Sequence, residues 1–335
     1  MNITSIGDLA QSLILRHRSA ELKNNIETLS QELSSGRVSD VSKRVGNDFS
    51  YLSDIERNLT RLGGFSIATS EARLFTDAAQ VNLERIQKNA TDLSSALISS
   101  SSSALNVVGT NLGVQAKDGL AATITSLNST AGGRSLFAGT ATDRTPLDTA
   151  DAMLSALEPL VTGLTTAADV QTAVDDWFSD PAGFKAVMYS GSDHTLAPMQ
   201  IGPGQEVDLP LKADDAAFRD VMSKMALAAL AGDPGLGFGT GMQADLFRSA
   251  AGGLAAGNDR LTGVRADLGF AEARIEEAAA RNETAKTSLQ YARNSLLEAD
   301  PFETATRLEE AQFHLESLYA VTVRSSKLSL LNFMR

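Results

Sequence analysis

Cysteine is absent from this 335-residue chain. No disulfide can brace the fold, and no thiol is available as a nucleophile or metal ligand. That suits a cytosolic protein, and equally an exported one that must travel unfolded. Long hydrophobic runs are missing too. The longest, Met225 to Ala231, falls far short of the ~20 apolar residues a membrane-spanning helix needs, so no membrane insertion is expected. The first residues, Met1-Asn2-Ile3-Thr4-Ser5-Ile6-Gly7-Asp8, hold no basic stretch followed by an apolar one, which argues against a cleaved secretory signal. His17, His194 and His314 are the only histidines and stand far apart. With no pair at ligand spacing, neither a metal nor another cofactor is expected.

Excess positive charge is also lacking. The net charge is −12, which argues against nucleic-acid binding, where a basic face is needed. Leu136 to Asp245 contains 16 Asp+Glu and 5 Lys+Arg, and the remainder holds 25 acids (41 − 16) and 24 bases (29 − 5). The ends are near-neutral and the middle is acidic. Near-neutral surfaces pack closely against copies of themselves, whereas a self-repelling part belongs in solvent.

What is present is helical periodicity at both ends. Leu261, Val264, Leu268, Ala271, Ile275, Ala278, Ala285, Leu289, Ala292 and Leu296 follow alternating steps of three and four, with Asn282 the only polar residue on the stripe. That spacing is the seam of a coiled coil. Arg265, Asp267, Glu272, Arg274 and Arg281 between them read as a solvated face. A helix from Leu261 to Leu296 spans roughly 54 Å. Asp300-Pro301 interrupts it, and Leu308, Ala311, Leu315 and Leu318 resume the pattern. On the N-terminal side Leu15, Leu22, Ile26, Leu29 and Leu33 take heptad positions, and Ser35-Gly36 has the form of a C-cap. Leu52, Ile55, Leu59 and Leu62 repeat the spacing, as do Ala79, Leu83, Ile86, Ala90, Leu93 and Leu97. Ser99 to Ser103 predicts a kink or loop. Leu120, Ile124 and Leu127 close the helical run before Gly132-Gly133.

An amphipathic stripe must be covered. The expected architecture is therefore mainly α: a long antiparallel helical rod formed by N- and C-terminal segments, with an inserted small α+β domain in the middle. Residues 41–135 with 246–298 form the rod, with Leu83, Ile86, Leu93, Leu261, Leu268, Ile275, Leu289 and Leu296 in its seam. Residues 136–245 form the inserted domain, and residues 1–40 with 299–335 form a terminal coiled-coil region. Chain termini usually fray, yet Ile3, Ile6, Leu9 and Leu13 at one end and Leu318, Val321, Leu328, Leu330, Leu331 and Phe333 at the other are apolar. With Leu22, Ile26, Leu29 and Leu315 they form a candidate assembly interface. Docking on the chain's own body is the alternative.

In the middle, 149–164, 167–178 and 214–231 read as helices, with Trp177 as a core anchor. Phe184 to Tyr189 reads as a strand. Val207, Leu209 and Leu211 read as a half-buried strand, at an edge because of Pro210. Gly202-Pro203-Gly204 is a turn, and Gly235, Gly237, Gly239 and Gly241 mark a flexible return. Enzyme motifs are weak. Ser192-Asp193-His194 has the residue types of a hydrolytic triad, but neighbours in one turn seldom converge and no nucleophile elbow surrounds them. Asp175-Asp176 is a possible cation site, although carboxylates near a helix end are usually just solvated. No catalysis is expected.

Four segments together resemble the flagellin superfamily, and within it the hook–filament junction proteins. Leu33-Ser34-Ser35-Gly36-Arg37 is similar to the turn after the first flagellin helix. Gly133-Arg134-Ser135-Leu136-Phe137-Ala138-Gly139-Thr140 resembles the segment by which the rod enters the outer domain. Tyr189-Ser190-Gly191, Met199 to Val207 and Ala217-Phe218 resemble that outer domain. Leu328 to Met334 is similar to the apolar C-terminal end. Two departures stand out. Lys43 to Asp48 replaces a segment usually rich in Asp-Asp-Pro or Asp-Asp-Ala, and Val323 to Lys327 stands where flagellins carry an Ala-Asn-Gln element.

The resemblance implies a bacterial flagellar subunit, exported without a cleaved signal by the type III apparatus with a chaperone and located outside the cell. It implies a ring of copies of the chain itself, with hook-associated protein 1 on the hook side and flagellin on the filament side. It also implies ends that fold fully only in the assembly. A minor filament flagellin is an alternative, as is a hydrolase carried on a coiled-coil stalk.

Overall fold

The computed structural model describes residues 3–46, 48–99 and 105–333. In chain order its elements are α1 (Ile3–Ser35), α2 (Val41–Arg44), α3 (Ser50–Ser99), α4 (Leu105–Leu127), β1 (Thr130–Ala131), β2 (Arg134–Ser135), α5 (Ala150–Val161), α6 (Ala167–Ser179), α7 (Ala186–Met188), β3 (Met199–Gly202), β4 (Gln205–Val207), α8 (Ala216–Ala231), α9 (Thr240–Leu297) and α10 (Pro301–Phe333). The fold is mainly α, with two small antiparallel two-stranded sheets, β1–β2 and β3–β4. The long helices form where the sequence offers nothing to stop them: no proline falls within α3 or α9. They end at the punctuation the sequence supplies. Gly36 follows α1 at φ +68°, a left-handed conformation that costs glycine little. Asp300 Oδ1 accepts from the backbone N–H groups of Phe302 and Glu303, and Pro301 opens α10 where a missing N–H does no harm. α3 stops at Ser99; the remainder of the serine run lies outside the described residues.

The chain divides into two compact units. One comprises Met1–Arg61 with Thr284–Arg335 and the other Leu62–Glu283. In the first, α1 and α10 pack against each other. The breaks that bound them are joined backbone to backbone. Ala299 N donates to Gly36 O at 3.0 Å, Val38 N donates to Leu297 O at 2.9 Å, and Arg37 and Glu298 form an antiparallel bridge. Ile55 is buried here, while Leu289 and Leu296 are half-buried.

In the second unit one continuous apolar core includes the seam residues Leu83, Ile86, Leu93, Leu261, Leu268 and Ile275 and also the buried face of α8, Phe218, Val221, Met222 and Met225. Helical and mixed parts therefore share one core, because α8 packs along α4. α5 and α6 begin where expected, capped by Thr149 and Thr166, whose hydroxyls accept from Ala152 N and Asp169 N.

Two expected strands are not as read. Phe184 to Tyr189 is no strand: Pro181–Lys185 forms a π-helical turn that runs into α7. Asp180 Oδ1 accepts from Ala182 N, Pro181 favours a helical start, and Phe184 stacks on Phe178 at 5.1 Å beside Trp177. Only Tyr189 makes a bridge, to Leu147. The strand expected through Leu211 ends at Val207. Pro210 cannot donate to a ladder, and Leu211 N donates to Leu209 O in a tight turn, although Leu209 stays buried. The return at 234–241 is also more ordered than read, with a 3-10 turn at Pro234–Leu236 before α9.

Candidate assembly surfaces

Three groups of residues stand out: the paired terminal helices, the α3–α9 seam, and the segment 133–140. On the terminal pair Leu29 is buried, and Leu22, Ile26, Leu315 and Leu318 are half-buried. Lys23 lies over the ring of Tyr319, 5.9 Å from its centroid. Hydrogen bonds with Ser19 and then Lys23, helped by the nearby Lys23 charge, lower the Tyr319 hydroxyl below its usual pKa. Several outward-facing positions are apolar. Leu13 is 66% exposed and Val321 56%, and Ile14, Phe302, Phe313 and Val323 are exposed as well. The side chains of Ile3, Ile6, Leu9, Leu328, Leu330, Leu331 and Phe333 lie outside the described residues.

Beside the α3–α9 seam runs a polar ladder that the periodicity did not reveal. Arg265, read above as solvated, is half-buried. Its guanidinium donates to Gln80 Oε1 (3.2 Å) and Gln87 Oε1 (2.7 Å), and its carbonyl accepts from Gln80 Nε2. Gln87 Nε2 donates to Thr262, Asn258 Nδ2 donates to Thr91, and Ser94 Oγ donates to Ala251 O. Arg73 pairs with Glu276 farther along. These partners run in opposite directions along the two helices, so the pair is antiparallel. An alanine-rich seam tolerates sliding, and fixed polar partners choose one register. Gln80, Gln87 and Ser94 recur every seventh residue, the one sequence signal that could have exposed the ladder.

Asn282, the sole polar residue on the seam stripe, is buried. Its Nδ2 donates to Ile201 O at 2.7 Å. Arg274 and Arg281 donate to Glu206 O and Gln205 Oε1. α9 thus holds the β3–β4 hairpin by side chains a turn or two apart, which explains a polar residue in an apolar stripe.

The segment 133–140 begins in a tight hairpin. Thr130 pairs with Ser135 and Ala131 with Arg134, around Gly132 and Gly133, both at positive φ. Leu136, Phe137 and Ala138 are buried, and Phe137 meets Phe218 edge-on at 5.7 Å. Two segments far apart in sequence thereby share one contact. Ser192-Asp193-His194 clasps the end of this segment. Ser192 N donates to Ala138 O and Thr140 N to His194 O. Thr140 Oγ1 donates to Ser192 Oγ, which also accepts from His194 N. A Cβ on Gly139 would stand 2.3 Å from His194 O, so only glycine fits.

Ser192 thus holds this segment through its hydroxyl and backbone, and His194 through its backbone. Asp193 pairs with Lys185 at 2.6 Å, and their hydrogen bond moves the Asp193 carboxyl below and the Lys185 ammonium above their usual ranges. Asp175, considered above as a cation site, already has its cation. Lys224 Nζ lies 2.6 Å and 2.7 Å from its two carboxylate oxygens. Among the described residues no three His, Asp or Glu side chains form a metal-binding group, and no helix is long and apolar enough to cross a membrane.

Residues 254–334 match the family model of the bacterial flagellin C-terminal helical region. No curated protein sequence matches the chain. Among solved structures, one from Vibrio parahaemolyticus, provisionally described as a flagellar hook-associated protein, superimposes with a TM-score of 0.51 at 13% identity, covering 73% of this chain and 95% of that one. At that identity the likeness speaks for the fold. The matched region comprises most of α9 and all of α10, helices that take part in the seam, the ladder and the paired terminus. Over that region the chain is similar to the flagellin C-terminal helical region, and its fold is like that of the hook-associated protein.

Proposed function

We propose that this subunit forms the hook–filament junction, a ring that adapts the hook to the filament. Hook-associated protein 1 would be its neighbour on the hook side and flagellin its neighbour on the filament side. The subunit would reach that place unfolded, through the flagellar type III export apparatus with an export chaperone, and act outside the cell. The absence of cysteine from the sequence accords with this route. In this reading residues 1–40 with 299–335 are the assembly region, 41–135 with 246–298 the rod, and 136–245 the outer module.

The observation that carries the reading is the apolar character of the outward-facing positions on the paired terminal helices, at Leu13, Phe313 and Val321. Exposed apolar side chains in such number call for a partner surface. The resemblance of the clasped segment Gly133–Thr140 to junction proteins favours the junction over the filament shaft. Epitope-tagged protein on intact flagella provides the test. One spot at the filament base is expected. Staining along the filament would make the chain a minor flagellin, and absence from flagella would refute both placements.

A further inference from the structure

α3 runs unbroken for 50 residues, yet three observations single out its stretch 60–70. The first is a pair of adjacent glycines, Gly63 and Gly64. Both are helical without a positive φ, and a Cβ added to either would meet nothing within 4 Å. By contrast, Gly253 and Gly257 of α9 have Lys224 and Val221 standing where a Cβ would go. Neither backbone conformation nor close packing therefore requires glycine at 63 or 64. Each glycine disfavours the helix about fivefold relative to alanine.

The second observation is where the hydroxyls of this stretch are spent. Thr60 Oγ1 donates to Glu56 O at 2.9 Å, Thr69 Oγ1 to Phe65 O at 3.0 Å and Ser70 Oγ to Ser66 O at 2.8 Å. A hydroxyl on the carbonyl four residues back competes with the helix's own N–H donor, and such back-bonding bends helices.

The third lies in α9. Arg293 pairs with Glu56 and Arg73 with Glu276, so the antiparallel counterpart of 56–73 is 276–293. From Glu276 to Ser288 α9 has no apolar side chain larger than alanine. Leu62 is still buried, but Ile67 is 71% exposed. A helix in a protein draws most of its stability from the apolar face it buries, and this stretch of α3 is offered little to bury against.

We infer that 60–70 is a hinge in α3. It is helical on average, but it opens and bends more readily than the turns that follow, where Ala79, Leu83 and Ile86 are fully buried. A load on the helix is taken up at this one place, and the seam beyond it keeps its register. The joint serves this purpose whichever part of a flagellum the chain occupies.

Amide hydrogen exchange of the full chain, corrected for intrinsic rates, provides the test. The parent is compared with the Gly63→Ala/Gly64→Ala double variant and with Gly119→Ala, which alters an equally open glycine on α4. In the parent, amides in 60–70 are expected to exchange at least about tenfold faster than those in 76–97. The double variant should slow 60–70 by roughly ten- to thirtyfold and leave 76–97 unchanged. Gly119→Ala should leave 60–70 as in the parent. Uniform protection along α3 in the parent would overturn the hinge. So would exchange in 60–70 that the double variant fails to slow, or that Gly119→Ala slows as much.

Discussion

Asp215 shows what a single residue reports. Burial pushes its carboxyl above the usual 3.8, against hydrogen bonding and attraction from Lys212 that act the other way. Its Oδ2 accepts from Lys212 N at 2.8 Å. In the folded chain this group holds its proton more tightly than in the unfolded chain. Once ionised it therefore counts against folding. That cost is full above the raised folded value, shrinks as pH falls from there to 3.8, and is gone below. Asp215→Asn keeps an acceptor for Lys212 N and removes the charge. The variant should melt higher than the parent at neutral pH, with the gap closing on acidification. A gap that widens as pH falls would show that the carboxylate stabilises the fold. Asp175 makes a different point. Its role as partner of Lys224 depends on a residue 49 positions away, and nothing in its own neighbourhood of sequence signals it.

At the scale of elements, what the sequence made legible was local. Gly36, Asp300-Pro301, Gly132-Gly133 and the capping threonines each act within a few residues, and the helices begin and end beside them. The seam was legible because apolar period and helical period coincide. What escaped was set by distance or by competition. Phe184 to Tyr189 reads as a strand, but Pro181 and the aromatic contacts of Phe184 draw it into a helical turn. Arg265 looked solvated because Gln80 and Gln87 lie on another helix. Burial also varies along the stripe that looked uniform. Ile275 is buried, whereas Leu289 is half-buried. Ile275→Ala should cost about 2–4 kcal/mol, while Leu289→Ala should cost clearly less, about 1 kcal/mol. Equal shifts in denaturant midpoint for the two variants would contradict this grading of the seam.

For the molecule as a whole, the chain's chemistry lies in its surfaces. Fold class was legible because the motifs sit at folding landmarks: a helix break, a hairpin and an aromatic contact. The paired surfaces were legible only as stripes, since one strand of sequence cannot say which stripe meets its own chain and which meets another. Deleting Leu328–Arg335 separates the two roles. Incorporation into flagella should be lost, while a protease-resistant core of the size of Leu62–Glu283 persists. Normal incorporation by the truncated chain would remove the C-terminal end from the assembly surface.

The backbone clasp between Gly36–Val38 and Leu297–Ala299 has a consequence for inheritance. α1 and α10 leave this common origin and contain 33 residues each. Among the described residues the two arms match in length. A heptad gained by one arm alone would leave about two turns of apolar helix without its opposite. Insertions and deletions on the two sides of the clasp should therefore travel together among descendants of this sequence, although nearly the whole chain separates them.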